Sequence, residues 1–67
     1  MPIKKSDLSY LRSVVNGDVA LDQENPSFFN RLFRWYEQIG VRFYGDPDED
    51  YEVFLDHLAS DIGYGAA

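Results

Sequence analysis

A chain of 67 residues allows one domain and no more. It has no cysteine, which excludes disulfides and thiolate zinc sites, so a core that is unusually aromatic (16% Phe, Trp and Tyr) must hold the fold unaided. Twelve acidic residues against six basic ones give a formal charge of −6; this disfavours direct binding to nucleic acid or an anionic membrane and favours a partner with a basic surface.

Met1-Pro2-Ile3-Lys4-Lys5 is basic, but no apolar h-region follows it, so no signal peptide is expected. No segment approaches the ~18–20 apolar residues that span a bilayer. Together with the absence of cysteine, this points to a cytoplasmic protein. Residues 1–5 read as a flexible arm, 6–62 as a single helical domain and 63–67 as a flexible tail.

The first helix is predicted over 7–16. Ser6 suits its N-cap and Asp7 its positive end. Leu8, Tyr10, Leu11, Val14 and Val15 share one face at about 100° per residue, and Gly17 supplies the stop. Residues 18–25 show no clear period. They read as an extended loop from which Val19 and Leu21 tuck against the core.

The second helix, 26–39, carries the strongest signals. Asn25 is a good N-cap, Pro26 fits the first helical position, and Gly40 ends the run. Trp35, Phe28, Ile39, Leu32, Tyr36, Phe29 and Phe33 fall on one arc of roughly 160°, wider than the ~100° stripe that faces a single core. Such a helix touches two neighbours or leaves one margin for a partner. Trp35 and Phe33 mark the margins. In Val41-Arg42-Phe43-Tyr44, inward and outward positions alternate, as in a short extended link that buries Phe43.

Asp46-Pro47-Asp48-Glu49 is the clearest helix start. Asp46 is the N-cap, Pro47 the first helical residue, and Glu49 is placed for a capping box. The helix is predicted to run to Ile62 and stop at Gly63, with Tyr51, Phe54, Leu55, Leu58, Ala59 and Ile62 inward. The fold class that follows is all-α: a small three-helix bundle, helices about 7–16, 26–39 and 47–62, with extended or 3₁₀ connections. The middle helix is the spine, and the other two pack on opposite parts of its arc.

Little in the chain suggests catalysis. Asp46, Asp48, Asp50 and Glu52 have the spacing of an EF-hand start, but its sixth position needs Gly and holds Tyr51. Its twelfth needs Glu and holds His57. His57 is the sole histidine, and a solvent-facing position near Asp61 accounts for it. No serine lies in a nucleophile-elbow context, and no glycine-rich phosphate loop is present. The expectation is a protein that is not an enzyme and holds no metal or cofactor.

The surface of the last helix is more suggestive. Asp48, Glu52 and Asp56 recur at i, i+4 and i+8, about 6 Å apart, beside Glu49. That spacing resembles the phosphates of a nucleic-acid strand. A solvated face with good dipole complementarity is the plainer account. Val53 interrupts the polar face among these carboxylates, a common layout for a protein contact. The expected partner-binding residues are therefore Glu49, Glu52, Val53 and Asp56, with Trp35 or Phe33 as aromatic anchor. Arg31 and Arg34, beside Trp35, form a set able to stack on a partner, although in so acidic a chain pairing with the domain's own carboxylates is expected.

The function expected from this surface is inhibition or regulation of a basic-surfaced macromolecule. Size, acidity and the lack of catalytic motifs resemble, in general style, the small inhibitor proteins of phages and mobile elements. The alternative is a structural subunit or homodimer that extends the aromatic core.

Overall fold

The computed structural model describes residues 3–63. Its elements are a 3₁₀ turn, Lys5–Asp7, then α1 (Leu8–Val15), α2 (Leu21–Glu24), α3 (Pro26–Gln38) and α4 (Pro47–Asp61). The expected all-α bundle is what forms, and there is no strand among the described residues.

Among the described residues the core is Leu11, Val14, Leu21, Phe28, Leu32, Tyr36, Phe54, Leu58 and Ile62. They come from α1 to α4, with Ile62 just beyond the last helix. Rings fill the space between α3 and α4: Phe29 and Tyr36 meet Phe54 edge-on at 5.0 and 5.7 Å between centroids. Tyr36 also donates its hydroxyl to Asp61 Oδ2 at 2.7 Å, tying the end of α3 to the end of α4. Tyr10 of α1 stacks on Phe28 of α3 at 6.4 Å. The arrangement is more triangular than a spine with two flanks, because α1 and α4 also approach each other with Cα atoms within 8 Å.

Four local expectations need correction. The first α-helix begins at Leu8, and Ser6 lies inside the preceding 3₁₀ turn instead of capping. There the Asp7 carboxylate reaches back to accept the Lys4 N–H at 3.2 Å. Second, the loop 18–25 contains α2. Burial of Leu21, at 0% exposure, outweighs the weak local signal. The Leu21 N–H donates to the Tyr51 hydroxyl at 3.2 Å, so the aromatic face of α4 supplies a partner for the start of α2. Third, Ile39 is the C-cap of α3 and is 56% exposed, so it does not join the buried part of the apolar arc. Fourth, Glu49 is exposed and does not close a capping box. Asp46 alone caps α4, accepting from Asp48 N at 3.0 Å.

The other helix signals act as expected. Asn25 Oδ1 accepts from Phe28 N at 3.4 Å. Gly40, at φ +101°, ends α3 in a Schellman motif, with Val41 N donating to Tyr36 O and Gly40 N to Glu37 O. The expected arm lies partly outside the described residues; within them Ile3 packs on the core. The expected tail lies outside them beyond Gly63.

The link from α3 to α4 is fixed by Asp50, a member of the EF-hand-like run. Phe43 stacks on Phe33 with centroids 4.0 Å apart. Beyond it, Asp50 is buried, and its two carboxylate oxygens accept from Tyr44 N at 2.6 Å and Gly45 N at 3.1 Å. Gly45 takes φ +90°, a conformation that glycine adopts without strain. Asp50→Ala would leave two N–H donors without this acceptor and is expected to cost about 1.5–3 kcal/mol. Urea denaturation gives the cost, and amide exchange at Tyr44 and Gly45 should accelerate selectively. Unchanged exchange at those two amides would show that the carboxylate does not hold the link.

Candidate interaction surface

The carboxylates of α4 divide into two groups by what they touch. Asp46, Asp50 and Asp61 accept hydrogen bonds that build the fold: a helix cap, the link and the Tyr36 hydroxyl. Asp48, Glu49, Glu52 and Asp56 are exposed along the helix, and Val53 among them is half-buried. The EF-hand-like run is thus drawn into a helix start, with Asp46 turned to one end and Asp50 to the link.

One side of this row is an open depression of about 430 Å³ between α1 and α4. Glu52 and Asp56 line it together with Val15, Leu55 and Ala59. These three apolar residues were expected in the core, yet each is only half-buried. Periodicity marks them as inward-facing but cannot show that α1, ending at Val15, is too short to cover the neighbouring part of α4. The result is a small apolar floor with two carboxylates beside it.

The proposed aromatic anchors are placed differently from each other. Phe33 is half-buried and engaged by Phe29, at 5.5 Å, as well as Phe43. Trp35 is half-buried against Tyr36, edge-on at 5.2 Å, on the other margin of α3. Neither adjoins the depression beside Glu52 and Asp56. Tyr44, by contrast, is 71% exposed, and the Asp50 contact holds its backbone at the first turn of α4. The alternation in 41–44 already turns Tyr44 outward; what it lacks is any sign of proximity to α4, which depends on Asp50.

His57 is exposed, as expected. Its ring lies 5.8 Å from that of Tyr36, and the neighbouring Asp61 is engaged by the Tyr36 hydroxyl. Among the described residues, no three His, Asp or Glu side chains converge in a way that could hold a metal ion.

Comparison with family models, curated proteins and solved structures finds no match to this chain. Burial pushes the Tyr36 hydroxyl pKa well above its usual value, reinforced by the hydrogen bond to Asp61 and by that residue's charge. Burial also raises that of Tyr51, against the lowering effect of the Leu21 N–H. Both hydroxyls stay protonated near neutral pH and serve the fold. No helix among the described residues is long and apolar enough to cross a membrane.

Proposed function

We propose that this protein is a small, non-catalytic binding protein that uses the outer face of α4 to engage, and inhibit or regulate, a macromolecule with a basic surface. The observation that carries the reading is the apolar floor of Val15, Leu55 and Ala59 beside Glu52 and Asp56. A lysine or arginine on the partner has an aliphatic stem to lay on that floor and a charged head for the carboxylates. Glu49 extends the negative row and Val53 offers a further apolar contact. The cysteine-free sequence suits a cytoplasmic setting, and the carboxylate spacing suits mimicry of a nucleic-acid strand.

The test is an affinity capture from the native cell followed by kinetics against the captured protein. The association rate is expected to fall steeply as salt rises. Replacing Glu49, Glu52 and Asp56 by Gln, Gln and Asn should slow association about tenfold or more. An association rate indifferent to both salt and these substitutions would remove α4 from the function.

The 56% exposure of Ile39 favours a second reading, a homodimer or structural subunit. Sedimentation separates the two: a dimer that persists at micromolar concentration favours this reading, and a monomer leaves the α4 surface as the account.

A further inference from the structure

The outer face of α3 has the opposite sign from that of α4. Ser27, Asn30, Arg31, Arg34, Trp35 and Gln38 line an open depression of about 520 Å³, and two guanidiniums are its charged groups. This is a basic groove on a chain of formal charge −6. Its parts are held in place from beneath. The Arg31 guanidinium lies over the Phe28 ring, 4.9 Å from its centroid, and Phe28 is in turn stacked with Tyr10. Trp35 stands edge-on to the fully buried Tyr36. One turn beyond Trp35, the exposed side chain of Ile39 extends the apolar margin. The ordering of Arg31 and Trp35 is thus largely met before any ligand arrives, which lowers the entropic cost of binding.

We infer that this groove is a second docking site, for a short acidic, amphipathic segment of a partner protein. Carboxylates of the segment engage Arg31 and Arg34, and its aliphatic side chains pack on Trp35 and Ile39. Charge complementarity selects this occupant. A nucleic-acid duplex brings one phosphate per ~1.7 Å of its axis and would run past two arginines onto the acidic remainder of the domain. A short peptide needs only the groove. The α4 carboxylates are not part of it: Glu52 and Asp56 line a separate depression that shares no residue with this groove. Screening at physiological salt acts within about 8 Å. The site is independent of the α4 reading, since it lies on another helix and takes the opposite charge.

Trp35 is the sole tryptophan, so its fluorescence reports on the groove directly. The probe is a designed helical peptide with Glu and Leu on one face, compared with the same peptide carrying Gln for Glu. The Glu peptide is expected to give a saturable change in Trp35 emission. Arg31→Ala and Arg34→Ala should each weaken binding roughly tenfold, and the response should vanish near 1 M salt, where screening acts within about 3 Å. Circular dichroism confirms that these exposed substitutions leave the fold intact, and the α4 triple variant should bind the peptide unchanged. No response to the Glu peptide, an equal response to the Gln peptide, or indifference to both arginine variants overturns the site. An RNA oligonucleotide that binds as well overturns the choice of occupant. So does a dimer of the protein alone that the arginine variants disperse, because the occupant is then a second copy using its own acidic helix.

Discussion

Phe54→Ala is expected to unfold this protein at room temperature. Phe54 is fully buried, and three rings close around it: Phe29 at 5.0 Å, Tyr36 at 5.7 Å and Tyr51 at 6.1 Å. Two of these belong to α3 and one to α4, so a single side chain joins the two longest helices. Truncating a buried Phe to Ala costs about 3–5 kcal/mol, because transfer energy is lost and the cavity closes only in part. A domain of this size has about 3–5 kcal/mol in all. The loss is as large as the whole stability, and a chain without cysteine has no disulfide to offset it. Circular dichroism should show most of the helical signal gone. Phe54→Leu keeps much of the volume, costs about 1–2 kcal/mol and should stay folded with a lower melting temperature. Asp56→Ala, exposed two residues further along α4, should change stability by less than about 0.5 kcal/mol. A cooperative melt of Phe54→Ala within about 8 °C of the parent would show that this ring cluster is not what holds α3 to α4.

The helical elements and most of the core were legible because local and global signals agree there. Asn25-Pro26 and Asp46-Pro47 start helices where the caps require, and Gly40 stops one where φ turns positive. Phe28, Leu32, Tyr36, Phe54 and Leu58 are inward on the wheel and buried in the fold. What escaped is what depends on contacts between distant residues. α2 is four residues long, too short for any period, and is held by Leu21 in the core and by Tyr51 from thirty residues away. Asp50 looks like one more acid in an acidic run, and only the return of the link over α4 makes it structural. Ile39 fits the apolar arc by angle but lies at the cap, past the last full turn. On the candidate surface, the exposed Glu49, Glu52 and Asp56 follow from the polar face of α4. The floor formed by Val15, Leu55 and Ala59 does not, because it exists only where one helix ends beside another.

The buried hydroxyls make stability fall at alkaline pH in a way that one substitution should expose. In the unfolded chain Tyr36 ionises near pH 10. In the folded domain its pKa is raised, chiefly by burial and further by the Asp61 hydrogen bond, so the fold favours the neutral form. Its contribution is therefore complete below about pH 10 and is lost progressively above it, as the unfolded chain gives up a proton that the folded one keeps. The slope from Tyr36 alone is about 1.4 kcal/mol per pH unit while the folded group stays protonated. Tyr51 adds a loss of the same sign, because its pKa is also raised. Against about 3–5 kcal/mol in total, unfolding should be well advanced two units above pH 10. Tyr36→Phe removes the ionisation together with the hydrogen bond. Near neutral pH it should be less stable than the parent by about 0.5–1.5 kcal/mol, since Asp61 is exposed and water takes over the lost contact. Above pH 10 the gap should narrow and then reverse. General effects of alkali, such as lysine deprotonation and growing negative charge, act on both proteins alike and cancel in the comparison. Urea midpoints measured across this range decide the matter. Two curves that decline in parallel would mean that Tyr36 is not shielded from ionisation and that its contact with Asp61 does not hold the ends of α3 and α4 together.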